Sequence, residues 1–140
     1  MKIDAVLATK GGTVFTAQPD ESIQDAVAVL SQHNIGALVV IDDAHHVIGI
    51  LSERDVVRRA AHDDQVLSRT VRELMIAKVI TGSPHDDLEI VMRTMTQNHF
   101  RHLPIVENDK LIGIVALGDL VKARLDHYIG EVENLQTQLS

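Results

Sequence analysis

A chain of 140 residues that is 45% apolar and only 2% aromatic has the length and composition for one compact unit with an aliphatic core of Val, Ile, Leu, Ala and Met. Its net charge of −7 argues against a nucleic-acid partner, since such binders present a basic surface, and the absence of cysteine excludes disulfides, thiol chemistry and zinc–thiolate sites. No apolar run reaches the roughly 18 residues needed to span a bilayer, and the N-terminus lacks a basic start followed by an apolar stretch, so a soluble, cytoplasmic protein with no membrane contact is expected.

In chain order the predicted elements come twice. Thr13–Thr16 reads as a short strand, and a helix beginning at Pro19-Asp20-Glu21 carries Ile23, Ala26, Val27 and Leu30 on one face. Ala37–Ile41 and Val47–Leu51 are apolar, β-branched runs around the polar turn Asp42–His46, a hairpin signal. Ser52 then opens a helix that runs to about Ala61. His62–Arg69 is a linker, and Val71–Met75 a short helix leading into the second half.

The second series repeats the first. Val79–Thr81 is a strand, and Leu88, Val91, Met92 and Met95 form a helical stripe. Leu103–Val106 and Leu111–Val115 flank the turn Glu107–Lys110, and another helix starts near Gly118. Val14-Phe15-Thr16 with Pro19 matches Val79-Ile80-Thr81 with Pro84, and Gly49-Ile50-Leu51-Ser52-Glu53-Arg54-Asp55 returns as Gly113-Ile114-Val115-Ala116-Leu117-Gly118-Asp119. An internal duplication of this kind sets the architecture. It predicts an α+β fold, mixed in its strand–helix order, with strand–helix–strand–strand–helix present twice about a pseudo-two-fold axis. The first repeat covers about 6–62, the linker about 62–69 and the second repeat about 70–125. A helical extension follows over about 126–140, where Leu125, Ile129, Val132, Leu135 and Leu139 stand 4, 3, 3 and 4 residues apart, the narrow stripe of a coiled coil. Such a stripe serves a dimer or partner helix, or folds back on its own unit. Gly130 inside it costs roughly 1 kcal/mol relative to Ala.

The repeated phrase has two physical readings. Gly49 lets backbone and ligand approach closely, Ser52 offers a hydroxyl beside the free N–H groups of a helix start, which suits a phosphate, and Asp55 can accept from two vicinal ribose hydroxyls. The same Ser52-Glu53-Arg54-Asp55 is close to a capping box, with Ser at the N-cap and an acid at N3. In the second copy Ala116 removes the cap side chain while Asp119 remains.

Two copies in register, each closing on Gly-aliphatic-x-Ser/Thr-x-x-Asp or a near variant, resemble the cystathionine-β-synthase (CBS) domain pair, or Bateman module. The likeness covers about residues 6–125, and Gly49–Arg58 and Phe100–Val106 look especially like small stand-alone bacterial members. The resemblance implies tandem CBS repeats, regulation rather than catalysis, homodimers, and adenosine ligands (AMP, ADP, ATP, NAD(H) or S-adenosylmethionine) bound in clefts between the repeats, with no required cofactor. Carried over by position, Asp55 and Asp119 hold ribose. The Asp55 site adds Ser52 for phosphate and Gly36, Ala37, Lys78, Val79 and Ile80 around the base. The Asp119 site adds Arg101 and His102 for phosphate, with Thr13, Val14 and Phe15 around the base. Arg can grip an oxyanion bidentately, so the two sites are unequal. Arg101 reads equally as a surface ion-pair residue, His102 as a satisfied strand histidine, and Phe15 as core.

Eight histidines invite a metal reading. His45 and His46 are adjacent, though, and no H-x-x-x-H pair exists, so no metal site is expected. Nor is there a G-x-S-x-G, a Walker A loop or an H-E-x-x-H, so no enzyme is expected. Two functional classes remain. One is a nucleotide-sensing regulator acting on an unidentified protein. The other is a non-nucleotide dimeric adaptor acting through its C-terminal helix.

Overall fold

The computed structural model describes residues 1–139; the last residue of the expected C-terminal extension, Ser140, lies outside them. Helix α1 (Ile3–Lys10) precedes a two-residue strand β1 (Thr16–Ala17), helix α2 (Ile23–His33), the hairpin β2 (Ala37–Ile41) and β3 (Val47–Ser52), and helix α3 (Glu53–Ala60). A 3-10 turn (Val66–Ser68) and the single-turn α4 (Val71–Leu74) cross to the second half, which comprises α5 (Leu88–Asn98), the hairpin β4 (His102–Glu107) and β5 (Lys110–Ala116), and α6 (Leu117–Leu139).

The duplication is visible in details no single element would reveal. In the first half β1 runs parallel to β2, with Ala17 opposite Val40; in the second, Gly82 makes an isolated parallel bridge to Ile105, at the same offset of 65 residues. Both hairpins slip register at equivalent points, Val40/Ile41 and Ile105/Val106. Helices α2 and α5 both end on a left-handed residue, Asn34 (φ 51°) and His99 (φ 59°).

Several expected boundaries move. Helix α2 begins at Ile23 because Ser22, not Pro19, is the N-cap, its hydroxyl accepting from the Asp25 N–H at 3.1 Å. The strand expected over Thr13–Thr16 shrinks to Thr16–Ala17, and the one over Val79–Thr81 to the bridge at Gly82, since only there does the chain lie against its neighbouring strand. Helix α6 starts at Leu117 and α4 ends at Leu74, each within a residue of expectation. The linker carries a 3-10 turn whose Val66 is 7% exposed. Helix α1 is an element the composition-level reading passed over, because Lys2 at its N-cap supplies no capping side chain and the helix is only eight residues long.

The cores explain why α1 matters. One apolar cluster gathers Leu38, Leu51, Ile23, Ala26 and Leu30 of the first repeat with Val66 and Val71 from beyond the linker. The other gathers Leu88, Met95, Leu103, Ile105, Val115 and Leu120 of the second repeat with Ile3 and Val6 of α1. Each repeat therefore lends its leading helix to the other's core. Two bridges tie the exchange down, Ser22 to Thr70 and Asp87 to Lys2, both at the N-caps of the repeats' first long helices. The short helix at Val71 thus packs into the first half, although it leads the second in sequence.

Helix α6 does not fold back along its length. Beyond the buried Leu120, its distal stripe faces outward, with Leu125 (54% exposed), Ile129 (46%) and Leu135 (58%) among its exposed residues. Among the described residues no helix is long and apolar enough to cross a membrane.

Candidate functional site

Gly49 and Gly113 are buried in β3 and β5. A Cβ on Gly49 would run into the Met75 thioether, and one on Gly113 would lie 2.6 Å from Leu7 Cδ2. The close approach these glycines permit is therefore to a neighbouring helical segment and not to a ligand, which corrects the role expected for Gly49.

One turn beyond each glycine strand stands the aspartate. At Asp55 the capping box is fully formed. The Asp55 N–H donates to Ser52 Oγ (3.2 Å), while Asp55 Oδ2 accepts from the Ser52 N–H and from its hydroxyl, both at 2.9 Å. At Asp119 half of the box survives, since Oδ2 accepts from the Ala116 N–H at 2.8 Å. Its second partner is a cation, Lys10 Nζ, at 2.6 Å. In both carboxylates every hydrogen bond converges on Oδ2, leaving Oδ1 with acceptor capacity.

Around Asp55 the repeats face each other across a cleft of about 300 Å³, lined by Gly36, Ile50, Ser52, Glu53, Arg54, Asp55 and Arg58 on one side and by Ile76 and His99–His102 on the other. That volume lies at the small end of the range for small-molecule sites. The floor is braced by backbone. Ile50 and Ile76 exchange hydrogen bonds at 3.0 and 2.9 Å, and the Glu53 N–H donates to the Gly36 carbonyl at 2.9 Å. Gly36 leaves room for the imidazole, since a Cβ there would lie 3.1 Å from His102 Nε2 and push the ring back by a few tenths of an ångström. Three arginines, Arg54, Arg58 and Arg101, rim the cleft, and among the described residues none of them forms an ion pair. They outnumber the carboxylates Glu53 and Asp55, so the cleft is locally cationic on an acidic protein.

Burial pushes the His102 imidazole below its usual value, and the positive charges of Lys10 and Arg101 push the same way against Glu53 and Asp119. It is therefore a neutral hydrogen-bonding group at pH 7. Asp119 opens instead onto a larger cavity of about 550 Å³ between α1 and α6, shared with Lys10, Lys122 and Asp126.

The structure thus brings Ser52, Asp55, Gly36, Arg101 and His102 into one cleft, whereas position alone had grouped Arg101 and His102 with Asp119. Ala37, Lys78, Val79, Ile80, Thr13, Val14 and Phe15 do not line it. Ala37 is buried at the start of β2, and Lys78 and Ile80 are exposed around the half-buried Val79. Thr13 is exposed, Val14 is half-buried, and Phe15 packs on the first core with its ring stacked 3.8 Å from that of His33. Sequence reasoning passed over Arg54, Arg58 and His99. The first two stand at i and i+4, a spacing that puts them on one helical face, and that was the legible signal. Among the described residues no group of three or more His, Asp or Glu side chains could hold a metal ion.

Comparison with known proteins agrees with the duplicated fold. The family described as "CBS domain" matches residues 8–62 and again 71–126. The chain is 36% identical over 118 residues to the CBS domain-containing protein YhcV of Bacillus subtilis, covering 84% of each chain. Among solved structures it resembles the CBS-domain protein ATU1752 from Agrobacterium tumefaciens, with a TM-score of 0.84 and 38% identity over 89% of this chain and 99% of that one. It also shares its fold with the CBS domain pair of MJ0100, described in complex with 5′-methylthioadenosine and S-adenosyl-L-methionine, at a TM-score of 0.81 and 23% identity, covering 91% of this chain and 98% of that one. The chain belongs to the CBS-domain family and carries two CBS domains in tandem.

Proposed function

We propose that this chain is a non-catalytic, cytoplasmic regulator that binds a phosphate-bearing adenosine ligand in the Asp55 cleft and reports it through a homodimer to a partner protein. The observation that carries the reading is the rim of three arginines, which form no ion pair among the described residues, around a carboxylate whose Oδ1 keeps acceptor capacity. Asp55 Oδ1 accepts from a ribose hydroxyl and Arg101 takes phosphate oxygens. Ser52 joins it by turning its single hydroxyl proton from Asp55 Oδ2 to the phosphate, and neutral His102 donates or accepts beside them. The adenosine ligands of the MJ0100 pair support the choice of nucleoside. The arginines favour an anionic phosphate chain over the sulfonium cation of S-adenosylmethionine. Ligand contacts to both repeats would favour one relative arrangement, by no more than the ligand's differential affinity for the two.

The test is a thermal-shift series of the purified protein against AMP, ADP, ATP, NADH and S-adenosylmethionine. A ligand at 100 times its Kd stabilises the native state by about 2.7 kcal/mol. The expected result is a raised midpoint with the phosphorylated adenylates, lost in Asp55→Ala and weakened at least tenfold in affinity in Arg101→Ala. A protein that responds to none of the five is not an adenylate sensor. That outcome would favour the second reading, an adaptor. Both carboxylates are already engaged by the chain itself, and the outward stripe on α6 is a surface for another helix.

A further inference from the structure

We infer that Lys10 closes the second adenylate position from within, so that each chain takes one ligand, at Asp55, and not two. This rests on the adenylate reading above and deepens it. The argument is the mismatch between the two halves. In the first half, the strand residue Ile50 pairs by backbone with Ile76, and its carbonyl accepts from the Ile76 N–H at 2.9 Å. The matching carbonyl in the second half, on Ile114, accepts instead from Lys10 Nζ, also at 2.9 Å.

The greater length of α1 explains the substitution. Ile3 and Val71 are counterparts, donating to the carbonyls of Asp86 and Glu21, as are Leu7 and Met75, which lie against Gly113 and Gly49. The counterpart of Ile76 is therefore Ala8, which is still inside α1, whereas α4 has already ended at Leu74. The strand edge beside Asp119 is left for a side chain to satisfy. Lys10, in the last turn of α1, supplies it, and the same ammonium reaches Asp119 Oδ2 at 2.6 Å. Asp119 Oδ2 therefore holds two donors, the Ala116 N–H and the Lys10 ammonium, and a ribose hydroxyl must compete with a charge-assisted bond to reach it. At Asp55 the competing donors are the backbone and hydroxyl of Ser52, with no cation. Lys10 and Asp119 are each about one-third exposed as side chains (34% and 31%), so the lock is an accessible ion pair and opens without unfolding either core.

Calorimetric titration with ATP decides the matter through stoichiometry. The native protein is expected to bind about one ATP per chain and Lys10→Met about two. Lys10→Gln, which keeps most of the stem and loses the charge, is expected to match Lys10→Met, while Lys10→Arg stays at one. Asp55→Ala in the Lys10→Met background should leave one site, and Asp119→Ala in that background should also leave one. Two ATP bound by the native protein, or one by both neutral variants, overturns the lock and leaves the adenylate reading standing. No heat from native or variant proteins overturns both together.

Discussion

At position 102 a histidine lies against Gly36 across the boundary between the repeats, with Lys10, Arg101, Glu53 and Asp119 as its charged surroundings. Burial lowers its proton affinity in the folded chain below the value of about 6.5 it has when unfolded. Below that unfolded value the unfolded chain binds the proton first, so stability is lost as pH falls from about 6.5 towards the folded pKa. Urea unfolding at pH 7.5 and pH 5.5 should show the native protein weakened at the lower pH. His102→Gln is expected to lose part of that difference, and an unchanged pH dependence would remove His102 from the account. Ligand phosphate brought beside the ring has the opposite effect, since a negative charge favours the imidazolium.

Among the elements, α3 and α6 show how much a single cap residue can separate two otherwise matching helices. Helix α3 has eight residues and none of them is buried, so its start depends on the reciprocal bonds between Ser52 and Asp55. Ser52→Ala is expected to cost about 1 kcal/mol of unfolding free energy, measured by urea denaturation. A loss below about 0.3 kcal/mol would show that the box contributes nothing there. Helix α6 tolerates Ala116 because Leu120 is fully buried in the second core and Asp119 still accepts from the Ala116 N–H. The hairpins and the long helices were legible because their apolar periods are long enough to read, as at Ala37–Ile41 and Leu88–Met95. The outermost strands were not, because Val14 and Val79 carry β-branched chains while pairing is confined to a residue or two at Ala17 and Gly82. The site was half legible. Asp55 and Ser52 stand out in the repeated phrase, but which cleft Arg101 faces is set by how the halves meet, and no spacing within one half encodes that. Lys10 lies in the turn by which α1 outlasts α4, a difference in helix length that the apolar pattern does not show.

For the whole molecule, the two-repeat arrangement leaves Leu125, Ile129 and Leu135 of α6 exposed among the described residues. Leu125, Tyr128, Ile129 and Leu135 are each about half exposed, and together they extend a patch along a helix of 23 residues, which is about 34 Å long. Apolar stripes of this spacing pair with a like helix. Light scattering is expected to give about twice the chain mass of 15.4 kDa. Leu125→Lys combined with Ile129→Lys is expected to return the mass to one chain with the fold retained. A native protein that runs as a monomer at micromolar concentration would assign the stripe to a different protein. In a dimer joined there, a change in how the repeats meet is carried to the partner through α6, whose first turn holds Asp119.

The exchange of leading helices also fixes the order in which the protein can be made. During synthesis the first core is complete once Val71 has emerged, because every buried residue it needs lies at or before that point. Ile3 and Val6 leave the ribosome ahead of both repeats' hairpins, yet the cluster that covers them includes Leu88, Val115 and Leu120. Helix α1 therefore waits, with its apolar side uncovered, until nearly all of the second repeat has followed it. A chain interrupted anywhere in the second repeat carries a finished first core beside a bare α1, a marked handle for chaperones and proteases to distinguish unfinished copies from complete ones.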